Sequence, residues 1–81
     1  MGVKINHGDA DFPFEQLAEI IRGRIRSGEY APGSKLPTIA KITEESGLAP
    51  MTIRRAMAEL SKEGLVRIVP GRGTFVKKEQ G

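Results

Sequence analysis

The chain has 81 residues, 38% hydrophobic and 28% charged, with no cysteine and a formal net charge of +3. This length suits one small domain with one core, which argues against a deep substrate cavity. The missing cysteines exclude disulfides and thiolate-bound metals, and no apolar run is long enough for a signal peptide or a membrane span, so we expect a soluble cytoplasmic protein.

Residues 1–11 show no helical periodicity, although Val3 and Ile5 could form a short extended stretch. We expect a flexible lead-in over residues 1–11, one folded domain over residues 12–78 and a short tail over residues 79–81.

The spacing predicts a first helix from Pro13 to about Ser27. Its apolar residues recur at i, i+3, i+4, i+7 and i+11, which places them on one face; they are Phe14, Leu17, Ala18, Ile21 and Ile25. Gly28 suits the position after a helix, and Pro32-Gly33 predicts a turn before a short extended piece at Lys35-Leu36.

Two further helices are predicted across a short connection at residues 47–49. The second begins after Thr38, which can cap it, points Ile39 and Ile42 inward and stops at Gly47. The third begins at Pro50, carries an inward stripe and stops near Gly64; the stripe is Ile53, Ala56, Met57 and Leu60. Two helices joined in this way are typical of a helix-turn-helix.

The remaining residues predict a β-hairpin, with strands over 65–69 and 74–77 joined by residues 70–73. An isolated hairpin is marginal in water, so we expect Leu65, Val66, Ile68 and Phe75 to pack on the helices. The predicted fold is mainly α with a small hairpin: a winged helix-turn-helix.

Positive charge is concentrated in the second half of this fold. Residues 1–49 contain six Lys or Arg and seven Asp or Glu, whereas residues 50–78 contain seven Lys or Arg and only two Asp or Glu. Such a distribution suits a polyanion, because each cation that neutralises a phosphate releases counterions. A solvated basic surface is the alternative.

The outer face of the third helix is the candidate nucleic-acid reader, since an inward stripe turns Met51, Arg55, Ala58 and Lys62 outward, with Thr52 and Arg54 on the flanks. In helix-turn-helix proteins the N-terminal end of this helix reaches base edges, and here that end carries Pro50, Met51, Thr52, Arg54 and Arg55.

Each of these side chains also has a plainer interpretation. Arginine can donate two hydrogen bonds to guanine, but Arg54 could be solvated and Arg55 could pair with Glu59 one turn later. Met51 could touch a thymine methyl group or pack beside the turn.

Gly71-Arg72-Gly73 forms the predicted hairpin tip. The glycines let the backbone approach a surface closely, and Arg72 carries a permanent charge that suits a narrow minor groove. Glycine is common in turns for conformational reasons alone. The tip therefore supports nucleic-acid binding mainly because it follows a helix-turn-helix.

Several motifs in order resemble the DNA-binding domain of the GntR family over about residues 13–76; they are PFEQL (13–17), GEYAPGSKLP (28–37), MTIRRA (51–56), EGLV (63–66) and GRGTFV (71–76). The resemblance implies a bacterial transcription regulator, usually a repressor, that binds palindromic operators as a dimer and is released by a small-molecule effector. It also implies DNA contacts by Thr52, Arg54 and the wing at Gly71, Arg72, Gly73 and Thr74. We add Lys35 and Thr38 to the expected contacts.

The chain departs from the family pattern at two helix starts. Family members commonly open the second helix with Ser-Glu-Arg-Glu, where this chain has Thr38-Ile39-Ala40-Lys41, and the third with Ser/Thr-Arg-Thr-Thr, where it has Ala49-Pro50-Met51-Thr52. A capping-box glutamate, a side-chain cap and two arginines are thus absent, although Lys41 could replace some charge. We expect base preference to rest on Arg54, Arg55 and methyl contacts.

Other functions have less support. His7 is the only histidine, so we expect no enzyme, no cofactor and no metal site. Residues 28–35 lack the Gly-Lys-Ser/Thr ending of a phosphate-binding loop, and Asp9 and Asp11 alone do not make a metal site. A winged helix that contacts protein or RNA is the main alternative. Because effector domains follow the wing in the family, we expect ligand sensing and most dimer contacts to lie outside these residues, leaving at most a weak homodimer.

Overall fold

Three helices precede a two-stranded antiparallel sheet in the computed structural model, which describes residues 13–78. The elements are α1 (Pro13–Ser27), α2 (Ile39–Ser46), α3 (Pro50–Lys62), β1 (Val66–Val69) and β2 (Gly73–Val76). The predicted lead-in, the extended stretch at Val3 and Ile5, and the C-terminal tail lie outside the described residues.

The helix ends follow from local chemistry. Thr38 is extended, and its side-chain oxygen accepts a hydrogen bond from the Lys41 backbone N–H at 3.1 Å, as expected of an N-cap. Gly47 ends α2 in the left-handed conformation with φ of 75°. Ala49 caps α3 without a side-chain hydrogen bond, so Pro50 at the first turn is the main local start signal.

The connection between α2 and α3 is held by Ser46, a buried polar residue. Its hydroxyl donates to the Ile42 carbonyl at 2.7 Å and accepts from the Leu48 backbone N–H at 3.1 Å. Both polar functions of the buried hydroxyl are satisfied, which makes the tight turn compatible with burial. Ser46 therefore helps to fix the angle at which α3 leaves α2.

The core lies between the three helices and the base of the hairpin. The predicted apolar faces of α1 and α3 are buried, and Ile42 of α2 packs with them. Leu36, Leu48, Leu65, Val66 and Val76 complete the cluster. This arrangement leaves the N-terminal end of α3 and the hairpin tip outside the core.

Helices α1 and α3 run in the same direction. The Arg55 guanidinium lies 4.1 Å from the centre of the Phe14 ring, and Arg22 bonds to Glu63 eight residues further along both helices. Arg22 donates from Nε to Glu63 at 2.8 Å and also binds Glu19 on its own helix. These contacts join α1 to both ends of α3.

The hairpin register determines which residues share a face of the sheet. Val66 pairs with Val76 and Ile68 with Thr74, while Arg67 pairs with Phe75 and Val69 with Gly73. Lys35 pairs with Phe75 on the other edge of β2, so the predicted extended piece joins the sheet. Val66 and Val76 are buried, so their face meets the helices and that of Arg67 and Phe75 points away.

Two of the four side chains expected to anchor the hairpin do not do so. Leu65 and Val66 are buried, but Ile68 is 44% exposed and Phe75 lies on the opposite face. Ile68 does point toward the helix side of the sheet, but it lies nearer the tip, beyond the core. The second strand is displaced by one residue from the prediction, because Gly73 pairs within β2, and the first strand begins one residue later than predicted, at Val66.

Candidate nucleic-acid interface

A groove of about 420 Å³ lies between the start of α2, one side of α3 and the hairpin tip. Seven of the residues expected to contact nucleic acid line it together; they are Lys35, Thr38, Arg54, Gly71, Arg72, Gly73 and Thr74. They come from three separate stretches of the chain, and only the tertiary fold brings them to one surface.

The groove is electropositive. Lys35, Arg54 and Arg72 contribute three cations, and no Asp or Glu is among the described residues that line it. Arg54 is exposed on the wing side of α3, and Thr38 is exposed at the groove edge. A surface of this charge and width attracts an anionic ligand and offers planar arginine donors to it.

Lys35 reaches this surface by crossing Gly73. A Cβ placed on Gly73 would lie 2.7 Å from Cε of Lys35, and the φ of Gly73 is 129°. Glycine is required at this position for two reasons: the backbone angle, and the space that the Lys35 side chain occupies. The lysine chain is thereby laid along the sheet toward the tip.

The tip itself is a tight turn over Val69 to Arg72. The Arg72 N–H donates to the Val69 carbonyl at 3.0 Å, and Gly71 at the third position has φ of 76°. Proline followed by glycine in this arrangement is typical of a type II turn. Pro70 restricts the turn, so Arg72 is presented from a stiff support.

The N-terminal end of α3 forms a second exposed edge. Pro50 is exposed, Met51 is 72% exposed and Thr52 is half-buried, and none of the three lines the groove among the described residues. Because Met51 is so exposed, packing beside the turn does not account for it.

Arg55 lies on the other side of α3 from the groove. Its guanidinium stacks over Phe14 of α1, in a depression that also contains Arg22 and Glu59. Within residues 13–78 it forms neither the expected ion pair with Glu59 nor a contact with the wing surface. Adjacent residues on a helix are about 100° apart, so once Arg54 faces the wing, Arg55 faces α1.

Residues 13–76 match the family model of the bacterial regulatory proteins of the gntR family. The chain belongs to the GntR family. The match spans every helix and strand of the domain, which confirms the resemblance drawn from the motifs.

Curated GntR-type relatives are regulators much longer than this chain. The mannosyl-D-glycerate transport/metabolism system repressor MngR of Escherichia coli (strain K12) is 36% identical over 67 residues, which cover 83% of this chain and 28% of that protein. The HTH-type transcriptional repressor NagR of Bacillus subtilis (strain 168) is 38% identical over 65 residues, which cover 80% of this chain and 27% of that protein. The chain thus spans less than a third of either relative.

Solved structures confirm the GntR winged helix-turn-helix fold. AraR(DBD), determined in complex with operator ORX1, superposes with a TM-score of 0.84 at 32% identity, covering 93% of this chain and 95% of that one. Close structural agreement over nearly all of both chains establishes the predicted architecture.

The GntR surface also includes residues that the sequence alone did not single out. Ile68 lines the groove beside Arg54, together with Ile39, Val69 and Pro70. Strand alternation could have placed Ile68 on the face toward α3, but alternation does not reveal that the core ends before it. The groove therefore has an apolar wall facing its cations.

Two other properties concern the described part of this GntR domain. Its helices are all too short or too polar to cross a bilayer. Residues 13–78 contain no grouping of three or more potential metal ligands.

Proposed function

We propose that this chain binds double-stranded DNA sequence-specifically, with α3 in the major groove and the wing tip at residues 70–74 in the adjacent minor groove. The observation that carries the proposal is the single groove that joins Arg54 of α3 to Arg72 of the tip, with cations and no described carboxylate along it. A duplex presents phosphate ridges with base edges between them, and this surface offers cations for the phosphates and planar arginine donors for the base edges.

Arg54 is the proposed base reader. Its exposure on the wing side of α3 lets the guanidinium donate two parallel hydrogen bonds to guanine O6 and N7. Met51 is the proposed methyl contact, since a 72% exposed thioether chain beside the helix start can cover a thymine methyl group.

The proposed phosphate contacts surround Arg54 and Met51. Lys35, Thr38 and Thr52 lie at or next to helix starts or the groove edge, where hydroxyl and ammonium groups can donate to phosphate oxygens. Pro50 has no N–H and the Thr52 and Ile53 N–H groups donate to the Ala49 carbonyl, which leaves the Met51 N–H as the first-turn donor for an incoming phosphate. Arg72, Gly71, Gly73 and Thr74 form the part proposed for the minor groove.

Arg55 has a different proposed role. Its stacking on Phe14 fixes α3 against α1, so it orients the reading helix instead of reading bases. This replaces the expectation that Arg54 and Arg55 share base recognition.

At the level of the whole protein we propose a cytoplasmic transcriptional repressor that acts on a palindromic operator as a dimer. Two relatives are named as repressors, and a solved relative was determined with an operator. Effector binding and most of the dimer contacts belong to regions that the chain does not share with these longer relatives. The domain alone then binds as a monomer or weak dimer.

The test begins with selection of bound duplexes from a random DNA pool, followed by affinity measurements with Arg54→Ala and Arg55→Ala. We expect Arg54→Ala to lose about 1–3 kcal/mol of binding and to relax preference at one position per half-site. The matched variant Arg55→Ala removes the same charge from the neighbouring residue and should retain the preference.

The proposal fails if no sequence is enriched, or if the two variants change base preference alike. Equal binding to RNA and duplex DNA would instead favour an RNA-contact module. A thermal melt of each variant shows whether any loss arises from unfolding, because the removed contact with Phe14 contributes to α1 packing.

A further inference from the structure

The face of the hairpin that points away from the helices is a second basic surface. A shallow depression of about 740 Å³ lies there, with Arg67, Arg72, Lys77 and Lys78 along it. Phe75 and Val69 provide its apolar floor, and no Asp or Glu of residues 13–78 lines it. Four like charges on a two-stranded sheet repel one another, and a bound anion would offset this repulsion.

The sheet geometry directs these cations to one side. Arg67 lies directly opposite Phe75 in the register, so the exposed guanidinium is beside a half-buried ring. Lys78 packs across Gly33, where an added Cβ would be 3.1 Å from its Cε. The lysine is therefore laid along the sheet edge, in the same manner as Lys35 across Gly73.

Arg72 connects this surface to the reading groove, because it lines both. The wing tip thus has a basic surface on each side, one toward α3 and one away from it. A strand of phosphates can follow each side of the tip without passing a described acidic residue.

We propose that the outer face of the wing, formed by Arg67, Phe75 and Lys78, binds the phosphate backbone of the strand across the minor groove from α3. The inference rests on the proposed function, since it takes the tip to lie in that groove. A sheet with side chains on both faces is about 10 Å thick, more than the minor-groove width of about 6 Å, so only the tip enters and each face of the hairpin lies toward one groove wall. The outer face thereby extends the contact beyond the half-site that α3 reads, without adding base specificity.

The test compares two double variants of equal charge on a duplex recovered from the random pool. R67A/K78A removes the outer-face cations. R24A/R26A removes the same charge from the last turn of α1, whose arginines line neither basic surface. Affinity is measured across a salt series, and every bound sequence is measured with both variants.

For R67A/K78A we expect the slope of log affinity against log salt to fall by about 2, with all sequences weakened equally. R24A/R26A should leave the slope near that of the parent protein. Neutral methylphosphonates placed singly along each strand locate the contact. Substitution on the strand across the minor groove should weaken the parent protein but not R67A/K78A.

Equal slopes for the two double variants would overturn the inference, as would a methylphosphonate effect that both proteins share. If R67A/K78A leaves the slope unchanged, the outer-face contact is refuted. The proposed function still holds in that case if base preference depends on Arg54. Failure of the parent protein to enrich any duplex removes both. A variant that binds DNA normally but loses an acidic protein partner would assign the face to that partner.

Discussion

Arg54 and Arg55 show how one residue step separates two roles. The side chains are chemically identical, but Arg54 lines the groove beside the wing and Arg55 stacks on Phe14. A cation over an aromatic ring contributes about 0.5–1 kcal/mol at an exposed site, enough to favour one orientation of a flexible arginine. The contact with α1 therefore distinguishes the arginine proposed to orient α3 from the arginine proposed to read bases.

The charge state of Glu63 couples stability to pH. Its hydrogen bond with Arg22 holds the pKa of the Glu63 carboxyl below its usual range, and the same bond raises the pKa of Arg22. The unfolded chain then binds a proton more readily than the folded one. The stabilisation is present above the ordinary glutamate pKa of about 4.3 and is lost as the pH falls through the lower folded value.

We predict that Glu63→Gln lowers the free energy of unfolding at neutral pH by about 0.2–1 kcal/mol, because the pair is partly exposed and screened by solvent. The difference from the parent protein should vanish in acid, where Glu63 is protonated in both folded and unfolded states. Denaturant unfolding at a series of pH values measures it. Glu59→Gln is the control, and a difference that persists in acid would show that the ion pair is not its source.

At the scale of elements, the two helices of the helix-turn-helix begin differently. Thr38 provides α2 with a side-chain acceptor, whereas Ala49 provides none for α3. The Ala49 backbone already has the extended conformation of an N-cap, with φ of −66° and ψ of 148°. A serine hydroxyl at this position could accept a first-turn N–H without any backbone movement.

Ala49→Ser should therefore raise the free energy of unfolding by about 0.5–2 kcal/mol, measured by chemical denaturation. The control is Ala58→Ser, which adds the same hydroxyl at an exposed position inside α3 and should be slightly destabilising. If both variants change stability alike, the cap geometry has no effect. Under the proposed function, the new hydroxyl also occupies N–H groups that face phosphate, so weaker DNA binding by a more stable protein is expected.

Across the whole molecule, the core and the proposed recognition surface occupy different regions. The core is formed by the inner faces of the helices and the base of the hairpin, whereas Arg72 lies on an exposed turn beyond it. A surface substitution away from core contacts usually changes stability by less than about 0.5 kcal/mol. Arg72 can therefore be substituted without loss of the fold.

We predict that Arg72→Ala weakens binding to a selected duplex and reduces its salt dependence, while the melting temperature stays within about 2 °C of the parent value. Arg26→Ala, an exposed charge loss on α1, should leave both properties nearly unchanged. A parallel loss of binding and melting temperature would show that Arg72 supports the structure of the wing.

Much of the fold could be predicted because its elements have strong local signals. The 3.6-residue spacing of α1 and α3, the Thr38 cap and the glycines after α2 and α3 act within a few residues of chain. The hairpin was predictable from branched residues on both sides of Pro70-Gly71, although its exact register was not. One-residue shifts such as that at Gly73 depend on the turn that forms.

The sequence by itself determined the three helices, the wing, the family and the identity of the charged residues. Tertiary structure alone decided which of these residues share a surface. Arg55 turns toward Phe14, 41 positions earlier in the chain, and Ile68 is 44% exposed because the hairpin extends past the core toward its tip. Periodicity defines a face within one element, but only packing between elements far apart in sequence decides what that face meets.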